Sequence, residues 1–260
     1  MSKSNYEASS HRLAQPLHGD PLPAYTVRIS DRAKYVRLSL SMESGLEVVI
    51  PPHYDHRKIP ELIQQKQNWI ARNQNRLNER EAFLQSQSPH LLPHSLNLRA
   101  INQTWQIQYI GTSYQGIRLQ ESQGRETQRI LSVTGNIEDI NICKFFLKKW
   151  LTKTAEHYLK PWLQSVSDRT KLPYGNITIR SQKTLWGSCS NKCNISLNYK
   201  LLFLDPPSVE YVLLHELCHT VHMNHSPKFW HLVQHFEPNY KIIDKSLNQA
   251  WKIVPAWLDS

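Results

Sequence analysis

The chain is short of cysteine, of long apolar runs and of acidic residues, and each shortage narrows what it can be. Four cysteines in 260 residues, Cys143, Cys189, Cys193 and Cys218, make no disulfide ladder, which excludes a cystine-stapled secreted scaffold. Three residues separate Cys189 from Cys193, a loose metal-ligand spacing, but no second pair completes a four-cysteine site. No stretch approaches about 18 uninterrupted apolar residues, so no membrane span is expected, and the opening MSKSNYEASSHRLAQPLHGD has no secretory apolar run. The expected compartment is the reducing cytoplasm. Asp and Glu number 21 against 31 Lys and Arg, a formal net charge of +10. Such a field favours acidic partners and weakens with salt, so DNA or nucleoprotein association through a basic surface is one expectation. No zinc ribbon or recognisable DNA-binding module accompanies it.

What the chain does have is a concentration of histidine in VLLHELCHTVHMNHSPKFW, residues 212–230. Residues four apart on a helix share a face, with Cβ atoms about 5–6 Å apart, so His215 and His219 can close on one metal ion. His225, beyond the helix if that stops near Asn224, can return as a third nitrogen and leave a fourth tetrahedral position open, the mark of a catalytic zinc site. His222 competes for that role, but one turn past His219 on the same rigid helix it converges poorly and reads as a rim residue. Glu216, beside the first histidine, is placed to take a proton from water and pass it to a leaving amine. HExxH peptidases use this chemistry. Donors to the developing oxyanion are Tyr240, Tyr199, Asn198 or His222.

The surrounding pattern suits such a site. Residues 1–20 are polar and expected to be loose. Strands are predicted at Tyr25–Ile29, Tyr35–Ser41 and Leu46–Ile50, the last two a hairpin, followed by one long helix from Ile59 to about Phe83. Short strands follow at 105–110, 115–119 and 129–133. A second long helix spans 142 to about 166, with Pro161 expected to kink or divide it near Lys160. A strand at 176–180, a compact turn at 186–194 and a strand at 195–203 lead to Asp205 and Pro206, a cap and first-turn pair for the histidine helix. Ser226 and Pro227 repeat that signal for a helix through about Phe236, and a last helix is predicted from Lys241 to about Lys252. The division expected is a flexible 1–20, a β-rich region with one long helix at 21–140, and a catalytic domain at 141–260.

HELCHTVHMNHSPKFW resembles the signature of the YgjP-like zinc metallopeptidases, which are related to the SprT-like proteases. RSQKTLWGSCSNKCNISLNYKLL resembles the segment before the metal helix in that family, and YVRLSLSMESGLEVVIPP its usual opening. The resemblance implies an α+β, zincin-like core with the HExxH helix on a small mixed sheet. It implies one zinc ion held by His215, His219 and His225, with Glu216 as general base and a polypeptide as substrate. It also implies that Trp186, Gly187, Ser188 and Cys189 form a turn close to the cleft. The metzincin pattern would place glycine where His222 stands. A thermolysin-like enzyme would take its third ligand from a later glutamate, for which only Glu237 is available. The histidine spacing also resembles a bacterial rRNA-processing endoribonuclease family, which lacks the glutamate after its first histidine. A metal-dependent nuclease and a nucleic-acid-associated protein with a structural zinc are the alternatives.

Overall fold

In the computed structural model, residues 22–41, 44–86, 92–124, 128–182 and 184–258 are described. The loose N-terminus expected at 1–20 lies outside them. The chain divides into two compact units at Ser86.

In the first unit, strands β1 (Tyr25–Ile29), β2 (Arg37–Ser41) and β3 (Gly45–Ile50) form a sheet in the order β1-β3-β2. The β2–β3 hairpin forms as expected, with Leu40 opposite Leu46, and Gly45 at φ +64° supplies the left-handed turn residue that a side chain would resist. Leu46, Val48 and Ile50 project from the central strand into a core shared with Ile59, Ile63 and Ile70. The long helix predicted here is two helices, α1 (Ile59–Gln65) and α2 (Gln67–Ser86), because Lys66 leaves helical geometry at φ −102°, ψ 8°.

The second unit opens with strands β4 (Ser95–Leu98), β5 (Gln103–Gly111), β6 (Ile117–Gln123) and β7 (Arg129–Gly135), ordered β4-β5-β7-β6. Helix α3 (Ile140–Thr170) belongs to the same core. Trp105 of β5 meets Trp150 of α3 edge-on at 5.1 Å, and the Trp150 indole donates to Glu121 of β6 at 2.7 Å. The division expected at residue 140 therefore falls inside this unit, between a sheet and the helix that packs with it. Pro161 does not divide α3. Its missing N–H forfeits one bond to the carbonyl four residues back, and buried Leu159 and Leu163 hold the flanking turns to a common core.

A second, smaller sheet carries β8 (Ile177–Arg180), β9 (Gly187–Cys189) and β10 (Ile195–Asn198) in the order β8-β10-β9, with β8 parallel and β9 antiparallel to β10. The strand predicted through Phe203 stops at Asn198, whose side chain accepts from the Lys200 N–H and starts a 3-10 turn at Tyr199–Phe203. Helices α4 (Pro206–Cys218), α5 (Pro227–Phe236) and α6 (Tyr240–Leu247) follow. The last is shorter than expected, giving way to a 3-10 turn at Ala250–Ile253, and Trp257 folds into the core. The architecture is α+β, with a buried helix beside a small mixed sheet. Among the described residues no helix is long and apolar enough to cross a membrane.

Candidate metal centre

Helix α4 starts where the sequence marks it. Asp205 accepts from the Ser208 N–H at 2.9 Å and Pro206 occupies the first turn. Val209, Val212, Leu213 and Leu217 are buried, so the helix is held on several faces and its polar residues are carried inside. It ends at Cys218, with His219 as its C-cap, earlier than the expected stop near Asn224. His222 is therefore not on a rigid continuation of the helix. It lies past the end, its N–H bonded to the Cys218 carbonyl at 3.0 Å.

The three histidines converge. The Nε2 atoms of His215 and His219 are 3.2 Å apart, and those of His215 and His225 are 3.1 Å apart. Among the described residues this is the one cluster of His, Cys, Asp or Glu able to hold a metal ion, so Cys189 and Cys193 find no further ligands. Two Zn–N bonds of about 2.0–2.1 Å at a tetrahedral angle would set their nitrogens about 3.3 Å apart. The observed spacings fit that donor set. Nδ1 of His219 faces the His222 carbonyl at 3.0 Å, a bond that requires the proton on Nδ1 and leaves the Nε2 lone pair free. Burial, followed by the neighbouring His219 and His225, lowers His215 to about 3. Burial also lowers His219 and His225, against an upward pull from Asp244 in the latter case. Neutral imidazole is the ligating form.

Glu216 is only 5% exposed, and burial raises its carboxyl to about 8. Its Oε2 is a buried atom without a hydrogen-bond partner, as is Nδ1 of His215. The carboxyl is pressed against β9: a Cβ on Gly187 would stand 2.7 Å from both Cγ and Oε1 of Glu216. Only glycine lets the strand approach this closely.

The other residues singled out in the sequence are dispersed around this contact. Trp186 packs partly buried against the core and its carbonyl accepts from the Asn198 N–H at 2.9 Å. Ser188, paired with Ser196 across the sheet, accepts from the Gln182 amide at 3.4 Å. Burial, reinforced by nearby Glu216 and Cys193, pushes the Cys189 thiol up to about 11, so it stays protonated. Asn198 gives both amide hydrogens to the carbonyls of Gln182 and Leu185, at 2.8 and 2.9 Å, and has no donor left for an oxyanion. Tyr199 is 1% exposed with its hydroxyl against Ser181. Tyr240 stacks on Trp230 at 5.3 Å.

Two residues were missed. Phe229, fully buried, contacts all three histidine rings, at 5.0 Å from His215, 4.4 Å from His219 and 4.8 Å from His225. Trp230 stacks on His225 at 5.4 Å. Both lie four and five positions after His225 on the helix capped by Ser226, and that offset was the available signal. Phe229→Ala is expected to cost about 3–5 kcal/mol and to weaken metal binding, checked by denaturant unfolding with and without zinc.

The α+β fold thus brings a histidine triad able to hold a metal ion to the end of a buried helix beside a small mixed sheet. Residues 34–250 match the family model of the YgjP-like metallopeptidase domain, and the chain belongs to that family. No curated protein matches it. Among solved structures, the metallopeptidase zymogen of Pyrococcus abyssi abylysin is 26% identical over 34% of this chain and 90% of that one, with a TM-score of 0.32.

Proposed function

We propose that the chain is a zinc-dependent endopeptidase of the cytoplasm in which His215, His219 and His225 hold one zinc ion and Glu216 is the general base. The observation that supports this most directly is the convergence of three imidazoles held neutral next to a buried carboxyl that is not itself a ligand. Zinc, when bound, supplies a Lewis acid for the scissile carbonyl and makes a water molecule more acidic. Glu216 accepts the proton of the attacking water and returns it to the departing amine. A nearby cation favours the ionised carboxylate, offsetting the burial that otherwise keeps it protonated.

The substrate lies as an added strand along β9. That reading is supported by the sheet order, in which β9 is at an edge, and by the contact between Gly187 and the carboxyl. An extended chain lying along an open edge is cut internally, hence an endopeptidase. With Asn198 fully engaged and Tyr199 buried against Ser181, the candidates for the oxyanion donor are Tyr240 and, just past the end of the histidine helix, His222. Its backbone carbonyl already orients His219, and that bond would survive replacement of the side chain.

The test is removal and return of metal. Chelation is expected to abolish cleavage of an unfolded protein such as casein, and one equivalent of zinc to restore it, with internal fragments seen by mass spectrometry. Single-stranded RNA and DNA are incubated in parallel. Zinc-dependent cleavage of nucleic acid without cleavage of protein would replace this reading with the nuclease one.

A further inference from the structure

The three ligands are not held alike. His215 is on α4, and His219 caps that helix and has a hydrogen bond to the His222 carbonyl. His225 is the exposed one, in the connection between α4 and α5. Its ring lies on Trp230 at 5.4 Å and 21°, with Phe229 edge-on at 4.8 Å and 89°, and Trp230 lies on Tyr240 at 5.3 Å and 18°. Tyr240 is the first residue of α6 and is largely buried. One turn on, Asp244 accepts a hydrogen bond from the Tyr211 hydroxyl at 3.0 Å. Tyr211 is on α4 one turn before His215, and the two rings meet at 5.9 Å. These contacts run from His225 through α6 back to His215.

We propose that α6 is a positioning element of the metal centre: Tyr240 acts through Trp230 and Asp244 through Tyr211, so that together they fix His225 relative to His215. An imidazole lone pair lies in the ring plane, so tilting the ring turns the donor away from the ion. A ligand on a connection without a hydrogen-bonded anchor depends on what restrains that tilt. The restraint comes from the aromatic face of Tyr240, not its hydroxyl, which distinguishes this role from donation to an oxyanion.

The inference rests on the metal site proposed above, and the experiment separates the two. Zinc affinity of the full chain is measured by competition with a chromophoric chelator, and the ligand field is read from the visible spectrum of the cobalt-loaded protein. Tyr240→Leu keeps an apolar side chain, though a smaller one, and removes the aromatic face. It is expected to weaken zinc binding about 10–100-fold and to alter the cobalt bands, whereas Tyr240→Phe restores both to wild-type values. Asp244→Asn, which keeps the volume, weakens the clamp and also removes the charge that acts directly on His225, is expected to shift both in the same direction by less. Wild-type affinity and an unchanged cobalt spectrum in Tyr240→Leu would overturn the positioning role, as would a Tyr240→Phe protein as impaired as the leucine variant. A wild-type protein that takes up neither metal would instead overturn the metal site itself.

Discussion

Replacing Glu216 with glutamine is expected to lower peptide hydrolysis by about 10²–10⁴-fold while zinc stoichiometry stays at the wild-type level. Glutamine has the same shape, so the packing against Gly187 is kept, and none of the three ligands is touched. What disappears is the group that accepts and returns a proton. Hydrolysis at the wild-type rate would remove Glu216 from the mechanism, and loss of zinc would mean the carboxyl belongs to the ligand set. The same variant has a second signature in the metal-free protein. The folded carboxyl titrates at about 8, against an ordinary value of 4.5. Between those values the unfolded chain has released a proton that the folded chain retains, so this group makes folding progressively less favourable as pH rises from 4.5 to 8. The loss has a ceiling of about 5 kcal/mol. Glutamine has no such dependence, so the metal-free variant is expected to gain stability over wild type through that window, with the difference constant above it. His215 has the opposite sign. Its folded value of about 3 removes stability as pH falls below 6.5, and subtracting the two proteins' unfolding curves cancels it.

The second large effect is expected at Gly187. An alanine methyl there would stand 2.7 Å from Glu216 Cγ and Oε1 and 2.9 Å from Cδ. The buried carboxyl has no solvent to swing into, so it or β9 must shift. A displacement of about 1 Å at a reacting group costs about 10²-fold in rate. We expect Gly187→Ala to lose about that much activity with its zinc retained, and the Gly187→Ala, Glu216→Gln double variant to be no slower than Glu216→Gln alone, since the two act on one group. Additive losses would show that Gly187 serves something other than the carboxyl.

The features legible in the sequence were those built from neighbouring residues. Asp205 with Pro206 and Ser226 with Pro227 are caps whose partners lie within one turn, and both helices begin where these pairs stand. Alternation in β2, followed by a turn ending at Gly45, marked the β2–β3 hairpin for the same reason. The triad itself could be read because all three histidines fall between 215 and 225. Long-range contacts could not be read this way. No periodicity says that Gly187 will meet a carboxyl 29 positions later, or that the amide of Asn198 will be consumed by the carbonyls of Gln182 and Leu185. The resemblance to a known family put Trp186 to Cys189 near the cleft without giving that reason. Pro161 does not divide α3, because that outcome of the local rule for proline is outweighed by the core on which both flanking turns are anchored. Phe229 was not singled out, because an aromatic residue in the first turn of a capped helix has no mark that separates it from ordinary core packing, which it also serves.

The length of β9 also bears on solubility. An open edge is a template for any extended chain, including another copy of the same protein, and natural sheets guard against this by keeping such strands short. With three residues, β9 offers too few backbone groups to hold a second sheet by pairing alone. A segment that stays there needs an additional grip beyond the ladder, which a nearby metal ion would give to a peptide carbonyl and a neighbouring copy's edge would lack. On the proposed reading, the shortness that guards against self-association would also select what is retained long enough to be cut.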